Sequence, residues 1–171
     1  NVFIDPTLSS YNLTGGWTFR TAVQNALNQW RDIQFCRVTF SVVNDHNAAN
    51  LSILADNNSL LPISMRNLDF VLNGMVTYGK ACFPSNNNVG RFISLNRRIP
   101  ELTTNLVQMT NVVAHELGHT LGFRHDAGTE GNDDGGCVAP NGNNIIVGTP
   151  FSDPSSLMYS FNENNAINNN D

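Results

Sequence analysis

Val113-Ala114-His115-Glu116-Leu117-Gly118-His119-Thr120-Leu121-Gly122-Phe123-Arg124-His125-Asp126 is the stretch on which the reading of this chain turns. Leu106, Val107, Val113, Leu117 and Leu121 recur at helical spacing, which predicts a helix from about Thr104 to Leu121. Gly122 marks its end, because glycine accepts the left-handed backbone that stops a helix and turns the chain. Residues four apart on a helix lie one above the other, so His115 and His119 face the same way. Glu116 is rotated from His115 by about 100°. It can flank what the pair binds without being a ligand itself. Beyond the glycine, His125 can close on the same point from a second direction.

Neutral imidazole suits zinc, and three protein ligands plus one open position is the arrangement of a catalytic zinc site rather than a closed structural one. The pattern therefore implies zinc held by His115, His119 and His125, with Glu116 as general base. Zinc brings the pKa of water down to roughly 7. Glu116 would take the proton as that water attacks a peptide carbonyl, then pass it to the leaving amine. The chain holds four histidines, so chance placement of three of them in register with this glutamate and glycine is remote. The alternative function is a zinc-binding interaction module without catalysis. Glu116 argues against it, since a metal site alone does not need the glutamate.

The rest of the sequence sets bounds around this site. A length of 171 residues fits one domain, and 40% hydrophobic with 13% charged residues fits a folded globular chain. A net charge of -5 speaks against nucleic acid as a partner, whose phosphates need a basic face. No apolar run has the length of a membrane span, so no membrane partner is expected. Asn1 to Pro6 lack the basic and then apolar pattern of a signal peptide and there is no starting Met, which suggests a processed or recombinant start. The three cysteines, Cys36, Cys82 and Cys137, are too scattered for a metal-binding pair, and one disulfide would suit an oxidising compartment.

Outward from the histidines, the chain reads as alternating strands and helices. Residues 2–5 predict a first strand closed by Pro6. Phe19, Val23, Ala26, Leu27 and Trp30 put one apolar face on a helix from Trp17 to Trp30. Ile33 to Val43 is β-branched and aromatic, Asn50 to Leu54 is a further strand candidate, and others lie at 74–82 and 90–95. Residues 126–150 are dense in Gly, Asn and Asp and predict loops. The fold class is α+β, as a single catalytic domain over 1–171. The stop at Gly122 is expected to divide it into 1–122, carrying the active-site helix, and 123–171.

With these residues in view, the chain resembles the metzincins, zinc endopeptidases with HExxHxxGxxH followed by a methionine turn. Ser156-Leu157-Met158-Tyr159 matches that turn, with Met158 in the role of hydrophobic floor beneath the zinc. Within that group it looks most like the bacterial dual-action HEIGH metallopeptidases. The segments that carry this likeness are Ala81-Cys82-Phe83-Pro84-Ser85, Gly122-Phe123-Arg124-His125, Gly148-Thr149-Pro150 and Asp153 to Met158. Astacin-like enzymes are the second choice. They usually carry Glu after the third histidine, where this chain has Asp126, and a tyrosine two residues past the methionine, where it has Ser160.

The resemblance implies a twisted mixed sheet with two long helices above a cleft and a small irregular lower subdomain. It also implies a secreted, monomeric bacterial enzyme acting on protein or peptide substrates. An edge strand, here residues 75–81, would pair with extended substrate. A C-terminal helix normally follows the methionine turn; with only Phe161, Ala166 and Ile167 as apolar contacts after Ser160, residues 159–171 fall short of one, so the native chain is expected to continue. Cys82 and Cys137 are the expected disulfide, with Cys36 a buried small hydrophobe. His46 reads as a solvated loop histidine. Asn132-Asp133-Asp134-Gly135-Gly136 offers oxygens to calcium but lacks the spaced glutamate of an EF-hand loop, so a plain loop is expected there.

Overall fold

Val2 and Ile4 turn inward and Phe3 outward, which makes the first strand, β1 (Val2–Ile4). The computed structural model describes residues 1–33, 38–68, 77–98, 104–123, 125 and 157–158. After β1 the Asp5 carboxylate accepts the Thr7 N–H at 2.9 Å and opens a 3₁₀ turn over Pro6–Ser10, with Pro at the position where its missing N–H costs nothing. Helix α1 (Phe19–Asp32) follows. It is capped by Thr18, whose Oγ1 accepts from the Thr21 N–H, and it buries Phe19, Ala22, Val23, Ala26, Leu27 and Trp30. The helix begins two residues later than the sequence predicts, because Trp17 lies in the preceding loop, half exposed, its carbonyl accepting from the Leu13 N–H.

The sheet has the order β2-β1-β3-β5-β4, built from β2 (Val42–Val43), β3 (Leu51–Ala55), β4 (Gly79–Ala81) and β5 (Phe92–Leu95). Strands β2, β1, β3 and β5 run parallel, and β4 is antiparallel to β5. Every residue of β3 is buried, because both faces of the sheet are covered. Leu51, Ile53, Ala55, Ile93 and Leu95 meet the helices, while Leu54 packs with Leu61, Met65 and Cys82 on the opposite face. The strand predicted over Ile33 to Val43 contracts to Val42–Val43 among the described residues. Among the described residues its one neighbour, β1, is three residues long, and Val42 is half exposed, so β-branched composition found little ladder to join. The predicted 74–82 strand is described only as Gly79–Ala81, and 90–95 as Phe92–Leu95.

Helix α2 (Leu106–Leu121) opens with a full capping box: Asn105 Oδ1 accepts the Gln108 N–H at 2.9 Å, and Gln108 Oε1 accepts the Asn105 N–H at 3.2 Å. Val107, expected on the buried face, is exposed instead. Met109, Val112, Val113, Ala114 and Leu117 make the apolar contact, and Thr110, Asn111, Glu116, His119 and Thr120 are buried with them. So wide a buried surface follows from the position of α2, packed on α1 and across β4 and β5 at once. Among the described residues no helix is long and apolar enough to cross a membrane.

His46 is not a solvated loop residue. Its Nδ1 lies 2.9 Å from Ser52 Oγ, and its ring packs against Phe3 and Phe92. The predicted loops at 126–150, the Asn132–Gly136 oxygen cluster, the lower subdomain apart from 123, 125 and 157–158, and the C-terminal tail lie outside the described residues. So do Cys36 and Cys137. Cys82 is disulfide-bonded, so its Sγ has no proton, and the 3.4 Å approach to Met65 Sδ is a packing contact of two sulfurs.

Trp30 joins the two helices. It is buried, and its indole N–H donates to the Ala114 carbonyl at 2.8 Å, one residue before His115. Trp30→Ala should cost about 3–5 kcal/mol, the range for emptying a core of a large aromatic. Urea unfolding of the variant beside the parent chain checks this; a loss under about 1 kcal/mol would show that the helix pair does not lean on Trp30.

Candidate active site

The site begins with the way α2 ends. Gly122 takes the left-handed conformation (φ 105°, ψ 0°). Its N–H donates to the His119 carbonyl and the Phe123 N–H to the Gly118 carbonyl, each at 3.0 Å. This pair of bonds is the Schellman arrangement, which satisfies two of the carbonyls a helix otherwise leaves open. The Phe123 ring then packs on Trp30, with centroids 5.6 Å apart, which pins the turn to α1. The turn has two effects on the histidines. It points the Phe123 carbonyl back at His119, whose Nδ1 lies 2.9 Å from it, and it delivers His125 beside His115 and His119.

The nitrogen geometry fixes the protons. His115 Nδ1 is 2.6 Å from the Leu157 carbonyl and His119 Nδ1 is 2.9 Å from the Phe123 carbonyl. A carbonyl only accepts, so both Nδ1 atoms carry hydrogen, and in the neutral rings both Nε2 atoms present lone pairs. Those Nε2 atoms face His125 Nε2 at 2.9 and 3.1 Å. One hydrogen on His125 would have to be shared between two acceptors, a poor arrangement, whereas one cation satisfies all three rings. The donor set therefore fits a metal ion: one ligand atom from each ring, all within 4.8 Å of one another, two of the rings oriented through their far nitrogens by main-chain carbonyls. Three imidazoles are a set that suits zinc.

Among the described residues, two apolar side chains lie at this cluster. Phe83 packs against the His119 ring at 5.1 Å between centroids. Met158, buried, lies under the helix: a β-carbon on Gly118 would come within 2.6 Å of Met158 Sδ and 3.4 Å of a Trp30 ring carbon. Gly118 thus gives the sulfur its place beneath the histidines. Glu116 is only 7% exposed and turns toward the edge strand, where Gly79 sits against its side chain.

All four residues expected at the site, His115, His119, His125 and Glu116, come from the end of α2 and the turn after it, and the structure brings the three histidines into one cluster. What sequence reasoning missed is the supporting layer. The carbonyls of Phe123 and Leu157 have no residue-type signature, because any residue supplies a carbonyl. Gly79 did carry a signal, since glycine inside a strand often marks a close approach of another group.

A five-stranded mixed sheet, two packed helices and a cluster of three histidines at the end of the second helix are compatible with the metzincin peptidase fold. Over residues 5–166 the chain matches the model of metallo-peptidase family M12, and it belongs to that family. It is accordingly a hydrolase that acts on protein or peptide substrates, in a family whose proteolysis is zinc-dependent. A comparison with curated proteins finds no match.

The turn at Gly122 is open to a direct test. An L-residue in left-handed backbone costs roughly 1–2 kcal/mol. Gly122→Ala should lose about that much stability and should also release metal more readily, because the strain sits between His119 and His125. Thermal unfolding with and without a chelator reads both effects; an unchanged chelator sensitivity would mean that the turn does not govern the third histidine.

Proposed function

We propose that this protein is a zinc endopeptidase of the metzincin type, in which His115, His119 and His125 hold the metal and Glu116 is the general base. The observation that carries the reading is the convergence of three Nε2 atoms, two of them on rings oriented by the Leu157 and Phe123 carbonyls. When bound, zinc supplies Lewis-acid chemistry, acidifying water to a pKa of about 7 and polarising a carbonyl. The chain's own residues do the rest. His115 and His119 keep their Nδ1 hydrogens on main-chain carbonyls, so their inward nitrogens stay free of protons. Glu116, one step round the helix, holds the proton taken from water and returns it to the departing amine nitrogen. Phe83 packs on the His119 ring and Met158 lies against Gly118 under the same helix turn.

The substrate we infer is an extended peptide laid along β4. This strand ends the sheet, and Tyr78 and Cys82 turn their pairing groups inward to β5, with Asn96 donating to the Tyr78 carbonyl and Cys82 to the Phe92 carbonyl. By the alternation of an antiparallel ladder, the N–H and C=O of Gly79 and Ala81 then face outward. Such groups bind main chain of any sequence, which suits cleavage within proteins rather than at one terminus. The closer likeness is to the bacterial dual-action HEIGH peptidases rather than to astacin-like enzymes. The disulfide at Cys82 supports an extracellular location, since disulfides persist in oxidising compartments. Native protein recovered only from cytosol, with Cys82 reduced, would count against that location.

Two variants test the roles. Glu116→Gln removes no ligand and should keep one zinc per chain while losing at least ~10² in rate; near-parental turnover by the loaded variant would sink the general-base role. His125→Ala should lose its zinc on dialysis, since the helix pair alone leaves two positions to solvent. Tight retention of one zinc by that variant would point to a different third ligand. Parent protein that binds zinc but cleaves no peptide in a mass-spectrometric library screen would favour a non-catalytic zinc module instead.

A further inference from the structure

The glycine that opens β4 needs a reason, because glycine weakens strands and gives them nothing to pack. Backbone conformation does not supply one here. The described glycines with positive φ are Gly15, Gly16 and Gly122, and Gly79 is not among them. The reason lies across the gap to α2. A β-carbon built on Gly79 would lie 2.9 Å from Glu116 Cγ, 3.0 Å from Oε1 and 3.2 Å from Cδ. Non-bonded carbons are at ease only at about 3.5–4.0 Å. The near atom is Cγ, close to the root of the side chain, so a small swing of the carboxylate cannot relieve the contact. Glu116 is also buried, with the helix fixing its base and β4 closing the other side.

We propose that Gly79 is a positioning residue for Glu116: the hydrogen in place of a side chain leaves a slot between β4 and α2 that holds the carboxylate at its working position. The assignment rests on the reading of Glu116 as general base. It gives one short strand two tasks. The main-chain groups of Gly79 on the outer edge receive the peptide, and its bare α-carbon on the helix side sets where the proton acceptor stands. The register of the peptide and the place of the base are thereby tied to the same residue. A β-carbon at 79 alters the second task and leaves the outward N–H and C=O intact.

The test is a double-mutant cycle on the zinc-loaded protein with Gly79→Ala, Glu116→Ala and the pair together. Gly79→Ala is expected to retain one zinc per chain, because no histidine is touched. Its kcat should fall by roughly 10², the scale of misplacing a catalytic group by about 1 Å, with KM within about twofold. Glu116→Ala should be slow, and adding Gly79→Ala should slow it no further. Thermal unfolding gives a readout independent of activity. Gly79→Ala should lower Tm by several degrees when Glu116 is present and leave it level or raise it when residue 116 is Ala. A Gly79→Ala protein too unstable to purify, beside a double variant that folds, is the same result in a stronger form. Equal Tm changes in both backgrounds, or an unchanged kcat, overturn the proposal. If the parent protein cleaves nothing, the peptidase reading fails, while the unfolding cycle still decides whether Gly79 and Glu116 share the slot.

Discussion

The structure depends most on how one helix stops. The pair of main-chain bonds across Gly122 satisfies carbonyls that α2 would otherwise leave bare, and in doing so it reverses the chain within two residues. Without that reversal His125 would travel away along the helix axis, and Phe123 would bring neither its ring to Trp30 nor its carbonyl to His119. A constraint that belongs to backbone hydrogen bonding thus decides the placement of two side chains and one acceptor. Because the turn is also pinned to α1, the core and the histidine cluster share one mechanical support.

Around that turn the protein assigns rigid elements to chemistry. α2 contributes His115, Glu116 and His119 from one buried stretch, held in register by the capping box at its start and by Trp30 beneath its last turns. Leu157 and Met158 come from far along the chain and meet the same helix from below, one through a carbonyl, the other through a sulfur. β4 closes the remaining side. Leu157 acts through its main chain, β4 through the absence of a side chain at Gly79, and Met158 through its sulfur against Gly118.

This division explains what was readable beforehand. The His115–His125 pattern gave the histidine cluster, the helix and its stop, because side-chain identity and spacing carry that information directly. The α1 face was readable for the same reason: Phe19, Val23, Ala26, Leu27 and Trp30 repeat at the helical period and all proved buried. Strand lengths were not readable, since a strand lasts only as long as its partner. The β-branched run before Val43 met a β1 of three residues and pairs over two. Val107 misled because α2 is buried on several sides, so its exposed stripe is narrow and falls where periodicity alone does not locate it. His46 misled because its partners, Ser52, Phe3 and Phe92, are brought to it by parallel pairing of strands distant in sequence.

The edge at β4 has a consequence for the protein as a solute. An outer edge that pairs with extended peptide, as proposed for β4, would equally pair with the same strand of another copy, the first step toward stacked sheets. One feature of the strand works against that step. Its central residue is Lys80, the only lysine of the chain, whose Nζ reaches toward the Ser64 carbonyl on the face away from α2. Two copies in register would bring the two ammonium groups together, and like charges directly opposite across paired strands repel. A neutral or acidic peptide meets no such repulsion. If peptides pair with β4 as proposed, the same residues would admit foreign chains and disfavour pairing with a second copy.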